Sequence, residues 1–227
     1  MKKISRRELI QTGVTATVAA SLVGNTSAKE RVSAPNSMIG KAFERKEKVR
    51  FGIIGSGERG TSMIHDFLGI ENLEIVAICD NVKANAEEGR SMVEKAGRKA
   101  PTLYTEGDFA FKELCKREDL DFIYIATPWE WHAPMAIEAM ENGHHVGVEV
   151  PMATTIPDLW KVVETSERTG RHCLMLENCC FNYTELLVLN MVRDGVFGSL
   201  THGEAAYIHD LRTIVNENRS EGLWRRA

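Results

Sequence analysis

The chain has 227 residues, enough for one large domain or for one and a half smaller ones. Its formal net charge of −4 is small and no basic block stands out, so nucleic acid is not expected as a partner. The five cysteines are odd in number and lack metal-type spacing, which argues against a disulfide framework and a zinc site. We interpret the adjacent Cys179 and Cys180 as small buried core residues, with a redox role as the alternative.

Residues 1–30 are interpreted as a signal peptide rather than as part of the fold. Basic residues open the segment, and the weakly apolar run Thr12–Gly24 is too short to anchor in a bilayer. The sequence Ser5-Arg6-Arg7-Glu8-Leu9-Ile10 resembles the twin-arginine export signal of bacteria. We expect export to the periplasm or beyond, with no membrane insertion after signal removal. The alternative is a basic amphipathic helix on a cytoplasmic protein, and residues 31–47 are expected to be a linker.

The stretch Val49–Gly60, VRFGIIGSGERG, predicts a strand, a glycine turn and the start of a helix. Gly55, Gly57 and Gly60 form G-x-G-x-x-G, and an apolar helical pattern follows. In this context the motif is typical of dinucleotide binding: the glycines allow a tight turn, approach of a pyrophosphate, and packing of the helix on the strand. The free N–H groups at the helix start would face the phosphates.

A second strand is predicted at Leu73–Cys79, and it ends in Asp80. Asp80 lies about 20 residues beyond the last glycine, where an acidic side chain binds the ribose hydroxyls of a dinucleotide. A carboxylate there favours NAD over NADP, because it would repel the 2′-phosphate of NADP. The alternative is a glycine turn with a solvated aspartate.

Strands and helices continue to alternate along the chain, with Thr155 as a helix cap and Gly170 as a helix stop. This alternation predicts an α/β fold, a Rossmann-type doubly wound parallel sheet. The further predicted strands are 101–104, 121–126, 145–150 and 172–176, and the further predicted helices are 82–99, 108–116, 133–141 and 156–168.

Thr127–His132 follows the strand 121–126 and is predicted to form a tight turn. Ligands of doubly wound sheets bind at the carboxyl ends of strands, so this turn is a candidate site. Trp129 and Trp131 are placed to flank an adenine or nicotinamide ring, and His132 to donate to a phosphate or a ribose. The alternative is that the two indoles only cover the sheet edge.

The pattern changes after Asn178. A helix is predicted at 183–193, largely buried, and a strand at 200–210 begins a second domain of α/β type. That domain needs more sheet than the remaining residues supply, so we expect the chain to be an N-terminal fragment. The predicted domains are residues 48–178, which bind NAD, and residues 179–227, which start the substrate domain.

Three motifs resemble the glucose–fructose oxidoreductase and inositol dehydrogenase superfamily: the glycine turn, Ala126-Thr-Pro128 and Glu149-Val-Pro151. Most members carry Glu-Lys-Pro at the last motif, and that lysine transfers a proton beside the nicotinamide. Val150 stands at the lysine position and cannot transfer one. Longer runs resemble glycoside hydrolase family 109: Trp129-Glu-Trp-His132, Val148-Glu-Val-Pro-Met152, Met175-Leu-Glu-Asn-Cys-Cys180 and the run from His202 to Arg212.

The family resemblance implies a glycosidase that hydrolyses α-N-acetylgalactosaminides with tightly held NAD. The sugar is oxidised at C3, the acidified C2 proton is removed, the glycosidic oxygen leaves, water adds, and the ketone is reduced again. The cofactor is regenerated in each turnover and supplies the redox step. A small-molecule glycoside is therefore the implied substrate.

The resemblance also implies roles for individual residues. Glu58 and Arg59 contact NAD from the glycine turn, while Glu149, Val150 and Asn178 reach the nicotinamide end. Catalytic residues are expected beyond Ala227, and the family often has tyrosine where this chain has Phe181. The other implied NAD contacts are Asp80, Trp129, Glu130, Trp131 and His132, and the implied sugar contacts are Tyr207 and Arg226.

Two other functions remain open at this point: a sugar oxidoreductase of the same superfamily, and a non-catalytic protein that binds NAD. Val150 favours hydrolysis over net oxidation. The chain alone is expected to bind NAD weakly or not at all and not to turn over. His209, Asp210 and Arg212 are equally consistent with a sugar pocket and with surface ion pairs, and homo-oligomerisation is left open.

Overall fold

A computed structural model describes residues 37–206, 208, 210 and 212. The chain divides into two units, residues 1–42 and 43–227. In the described part of the first unit, the Lys41 N–H donates to the Met38 carbonyl at 3.3 Å. The predicted signal peptide, Tyr207, His209 and Arg226 lie outside the described residues.

The second unit contains a six-stranded sheet in the order β3-β2-β1-β4-β5-β6, in which every neighbouring pair is parallel. This confirms the predicted doubly wound Rossmann-type sheet. The chain builds the sheet outward from β1 in one direction with β2 and β3, and then in the other direction with β4, β5 and β6. The strands are β1 (Val49–Ile54), β2 (Leu73–Cys79), β3 (Thr102–Tyr104), β4 (Phe122–Ile125), β5 (His145–Val148) and β6 (Cys173–Met175). The helices are α1 (Glu58–Leu68), α2 (Lys83–Lys95), α3 (Phe111–Cys115), α4 (Trp129–Glu141), α5 (Ile156–Thr169) and α6 (Tyr183–Arg193), with a 3-10 turn at Cys179–Phe181.

The sheet is buried on both faces, which explains the unbroken apolar runs of its strands. Ile53 and Ile54 are adjacent in β1 and are both almost fully buried, but they belong to different core clusters. Ile53 packs with Ile64 of α1, and Ile54 packs in the cluster that includes α4. Successive strand residues point to opposite faces, so each strand supplies both cores.

Helix α5 begins and ends at the predicted cap, Thr155, and the predicted stop, Gly170. Thr155 Oγ1 accepts a hydrogen bond from the Asp158 N–H at 3.3 Å, and Gly170 ends the helix with φ of 67°. The predicted start of α4 is wrong, because the helix begins at Trp129 and Thr127–His132 is not a separate tight turn. Pro134 therefore lies inside the helix and removes one intrahelical hydrogen bond. Burial of the α4 face that includes Ala136 offsets this loss.

The region after β6 differs most from the prediction. The apolar residues of α6 are not buried: Leu186 and Leu187 keep 41% and 44% of their surface exposed. Helical periodicity identifies an apolar helix but not what covers it. The strand predicted at 200–210 does not form at residues 200–206. A strand needs a neighbouring strand to pair its backbone N–H and carbonyl groups, and none of the six described strands pairs with this stretch.

The cysteine interpretation is also corrected. Cys179 and Cys180 are exposed rather than buried, and the Cys180 thiol donates to the Glu177 carbonyl at 2.9 Å. Cys79 is buried at the end of β2, where desolvation and the negative charge of Asp80 raise its pKa to about 12. Its thiol therefore stays protonated at neutral pH. Among the described residues, no cluster suited to a metal ion and no helix suited to crossing a membrane is present.

Candidate functional site

The glycine turn after β1 brings two backbone segments closer together than any side chain would permit. Gly55 has φ of 89°, and a Cβ built on it would lie 2.6 Å from the Ala126 carbonyl oxygen. A Cβ on Gly60 would lie 2.1 Å from the Gly55 carbonyl oxygen. The start of α1 therefore rests directly on the end of β1. The N–H groups of its first turn have no acceptor within the helix, which makes them available to an anion.

Asp80 is built into this turn. Its Oδ2 accepts hydrogen bonds from the Ser56 N–H at 2.7 Å and the Ser56 hydroxyl at 3.2 Å, and its Oδ1 accepts from the Val82 N–H at 2.8 Å. The side chain of Asn85 lies 3.4 Å from Oδ1. The structure therefore brings the acidic residue and the glycine turn to one edge of the sheet, as predicted. That Asp80 binds a ribose remains a prediction.

Glu149 connects the glycine turn to the next two strands. Its Oε1 accepts from Arg59 Nε at 2.9 Å and from the Tyr124 hydroxyl at 2.8 Å. Burial alone would lower the pKa of Arg59, but the hydrogen bond and charge of Glu149 outweigh it and raise that pKa. Burial, reinforced by Glu149, raises the pKa of Tyr124, so the phenol remains a donor. One carboxylate thus joins α1, β4 and the end of β5.

Replacing Glu149 with alanine is expected to lower the free energy of unfolding by about 2 kcal/mol, because the buried Tyr124 hydroxyl then loses its acceptor. Tyr124→Phe alone should cost about 1 kcal/mol, and the double variant should cost less than the sum. Urea unfolding of the four proteins measures this coupling. Tyr104→Phe is the control, since its hydroxyl only accepts a 3.4 Å hydrogen bond from Arg117. Additive effects at Glu149 and Tyr124 would contradict the connection.

The two tryptophan side chains in the first turn of α4, Trp129 and Trp131, have different surroundings. Trp129 is 39% exposed, whereas Trp131 is half-buried with its ring centroid 5.6 Å from that of Phe109 and 6.2 Å from that of Phe111. The edge-to-face packing of Trp131 matches the alternative in which an indole covers the sheet edge. Glu130 is exposed in the same helical turn.

His132 is 1% exposed, and both of its ring nitrogens lie near backbone carbonyls. Its side chain is thus engaged with the protein, and contact of His132 with a dinucleotide remains a prediction. Any influence of this imidazole on a cofactor would pass through the segments that it holds.

The remaining predicted site residues are more open to solvent. Val150 is 37% exposed directly after the buried Glu149. Glu58 is exposed in the first turn of α1, and Asn178 is exposed beyond β6, which is one of the two edge strands of the sheet. Asp210 and Arg212 form an exposed ion pair at 2.6 Å. This agrees with the second of the two alternatives given for them, a surface ion pair.

Two cavities lie at opposite edges of the sheet. One of about 400 Å³ adjoins the glycine turn and is lined by Ser56 of that turn and by residues of α1 and α2 that include Thr61 and Asn85. The larger, of about 560 Å³, lies at the amino edge and contains three arginines. Arg50 and Arg117 both pair with Asp119, and Arg98 donates to carbonyls at the end of α1. The three arginines of the larger cavity each bind a group of the protein itself, and this cavity lies away from the glycine turn. We therefore assign the functional site to the edge of the sheet that carries the smaller cavity.

Sequence reasoning missed several residues that shape this edge. Ser56 holds Asp80, Tyr124 holds Glu149, and the Thr61 hydroxyl donates to the Gly57 carbonyl at 2.6 Å. The signal for Ser56 was its place between two motif glycines. The only sequence signal for Tyr124 was its position in a predicted buried strand, because a buried phenol hydroxyl needs a hydrogen-bond partner.

Comparison with known families identifies two parts of the chain. Residues 49–177 match an oxidoreductase family with an NAD-binding Rossmann fold, and residues 181–223 match the glycosyl hydrolase 109 C-terminal domain. The chain is 46% identical over 228 residues to a glycosyl hydrolase family 109 protein of Solibacter usitatus, covering 100% of this chain and 51% of that protein. It is 44% identical over 232 residues to an alpha-N-acetylgalactosaminidase of Shewanella oneidensis, covering 99% and 50%. The chain thus spans about half the length of the curated relatives it matches.

Solved structures share the fold. The WlbA dehydrogenase from Bordetella pertussis, solved with NADH and UDP-GlcNAcA, matches with a TM-score of 0.56 and 26% identity, over 66% of this chain and 43% of that one. The scyllo-inositol dehydrogenase from Lactobacillus casei, solved with NAD(H) and scyllo-inositol, matches with a TM-score of 0.59 and 18% identity, over 68% of this chain and 43% of that one. The second likeness concerns the fold alone.

Proposed function

Because the chain belongs to the oxidoreductase family with an NAD-binding Rossmann fold and, within it, to glycosyl hydrolase family 109, we propose that it supplies the NAD-binding part of a glycosidase. The proposed substrates are α-N-acetylgalactosaminides, after the name of the Shewanella oneidensis relative. The observation that carries the proposal is the convergence of the glycine turn, Asp80 and Glu149 at one edge of the sheet.

The residues at this edge fit a dinucleotide. In the cradle that the glycine turn forms, the contact between Gly55 and Gly60 leaves room only for backbone, so α1 starts directly on the end of β1. The N–H groups of the first turn of α1 are then available to a pyrophosphate. Asp80 lies beside that cradle to accept from a ribose, and Arg59, held through its Nε by Glu149, keeps other N–H donors for an anionic or polar group. When bound, NAD would supply reversible oxidation of a sugar hydroxyl, with no net change in the cofactor.

Val150 favours hydrolysis over net oxidation of the sugar. It occupies the strand-end position at which the resembled superfamily most often carries a proton-transferring lysine, and an isopropyl group can neither give nor take a proton. Proton transfer to or from a sugar would therefore rely on other residues. We also propose export by the twin-arginine route, on the strength of Ser5-Arg6-Arg7-Glu8-Leu9-Ile10.

The test is a chimera that joins this chain to the C-terminal half of the Solibacter usitatus relative. We expect the chimera to release free N-acetylgalactosamine from an aryl α-N-acetylgalactosaminide in the presence of NAD, without accumulation of NADH. The chain alone and the relative's half alone are the controls, and both are expected to be inactive.

Each rival function has its own result in this assay. One NADH formed for each sugar consumed would support a dehydrogenase. Binding of NAD with every glycoside left intact would support a non-catalytic protein. Turnover by the 227-residue chain alone would contradict our assignment of this chain to the cofactor-binding part.

A further inference from the structure

The cavity at the amino edge of the sheet lies where β2 has lost a neighbouring strand. Strand β2 pairs with β1 from Leu73 to Cys79, but it pairs with β3 only from Ala77 to Cys79. Among the described strands, β3 alone lies on that side of β2. Pro101 immediately precedes β3 and has no N–H with which to extend the pairing. The start of β2 and the residues that lead into β3 therefore line a cavity of about 560 Å³.

The lining of this amino-edge cavity combines apolar and basic side chains. Leu73, Ile75 and Val76 of β2 supply apolar surface. The basic residues of the lining are Arg50, Arg98, Lys99 and Arg117. Sites for small molecules have volumes of this order and place a few polar groups on a largely apolar wall. The cavity therefore fits a ligand with an apolar body and an anionic head.

Two of the basic residues share a single carboxylate. A terminal nitrogen of Arg50 lies 2.6 Å from Asp119 Oδ2, and Arg117 donates to both oxygens of Asp119 at 2.8 Å. The Nε atom of Arg50 is buried and has no hydrogen-bond partner among the described residues. Asp119 thus neutralises only one of the two guanidinium groups, and it leaves N–H donors of Arg50 unused.

The other two basic residues have no carboxylate partner in the described part of the chain. Arg98 donates to the carbonyl oxygens of Leu68, Ile70 and Leu73, which carry no net charge. Lys99 is exposed, and none of the ion pairs among the described residues includes it.

The carboxylates of the lining do not balance these cations. Glu74 is paired with Lys48 at 2.6 Å, which leaves the exposed Glu71 as the other acidic residue of the lining. The cavity therefore keeps a surplus of positive charge in a chain whose formal net charge is −4. This surplus would attract an anion from solution.

We propose that the amino-edge cavity is a binding site for a small organic phosphate monoester. Such a group carries a charge of about −1.5 to −2 at pH 7 and has three strong acceptor oxygens, which suits the surplus charge and the unused donors better than a single carboxylate does. The organic part of the ester would lie against the apolar start of β2. The site is separate from the glycine turn, which lies at the opposite edge of the sheet, and it does not depend on NAD binding.

The test is a titration of the ¹⁵N-labelled 227-residue chain with phenyl phosphate, followed by the amide chemical shifts. We expect saturable shifts at Leu73–Val76 and at residues 98–102, with a dissociation constant in roughly the millimolar range. Inorganic phosphate and benzoate should each bind about tenfold more weakly, because the first lacks the apolar ring and the second carries a single charge. No saturable shift at these residues, or shifts confined to the glycine turn, would overturn the proposal.

Two substitutions at the exposed part of the lining test the site without touching the core. Lys99→Ala should weaken phenyl phosphate binding about fivefold, because it removes one positive charge. Ala100→Glu should abolish measurable binding, because it adds a carboxylate to the cavity. Unchanged affinity in both variants would contradict the assignment.

Lys161→Ala is the matched control for Lys99→Ala. It removes the same charge from α5, where Lys161 is exposed and pairs with Asp158 at 3.0 Å. Its affinity for phenyl phosphate should equal that of the unsubstituted chain. Equal losses in Lys99→Ala and Lys161→Ala would indicate general charge attraction rather than a site, and they would overturn the proposal.

Discussion

Gly60→Ala is expected to abolish measurable NADH binding by the chimera and to lower the free energy of unfolding by about 3 kcal/mol. The added Cβ would lie 2.1 Å from the Gly55 carbonyl oxygen, which is backbone and cannot move aside as a flexible side chain can. The start of α1 must then shift away from the end of β1, and the cradle opens. NADH fluorescence titration and urea unfolding measure the two effects.

Gly203→Ala is the control for this substitution. A Cβ at Gly203 would meet no heavy atom within 4 Å, so both NADH affinity and unfolding should stay unchanged. Wild-type affinity in Gly60→Ala would show that the dinucleotide does not bind at the glycine turn, and it would remove the main support for the proposed function.

Asp80→Ala is expected to produce the second large effect. The buried Ser56 N–H loses the acceptor that lies 2.7 Å away, which should cost about 2 kcal/mol of unfolding free energy. NADH affinity should fall about tenfold, since the charge-assisted hydrogen bond that we propose between Asp80 and the ribose would be lost. NADPH affinity should fall less or rise, because the carboxylate that we propose to repel its 2′-phosphate would be gone. Parallel titrations with the two cofactors measure this change in preference.

Asp108→Asn separates a local role of Asp80 from a general effect of charge. Asp108 is exposed and accepts a hydrogen bond from the Asn81 side chain at 2.8 Å, so the change removes one nearby negative charge without disturbing the glycine turn. Its NADH-to-NADPH preference should match that of the unsubstituted protein. The same loss of preference in both variants would argue against a ribose contact by Asp80.

Local patterns predicted the elements that depend on short-range chemistry. The bounds of β2, the Thr155 cap and the Gly170 stop were all correct, because hydrophobic runs, side-chain caps and left-handed glycines act within a few residues. The start of α4 was missed because burial of its apolar face tolerates Pro134 inside the helix. The burial of α6 was predicted wrongly, since an apolar helix does not specify its cover.

By itself, the sequence determined the order of strands and helices from β1 to α6, the glycine turn, and the placing of Asp80 at the end of a parallel strand. Only the tertiary structure decided the partners: Ser56 with Asp80, Tyr124 and Arg59 with Glu149, and His132 with two backbone carbonyls. The physical reason is distance along the chain. Periodicity reports how one segment meets water or a core, whereas these contacts join side chains and backbone that only the pairing of parallel strands brings together.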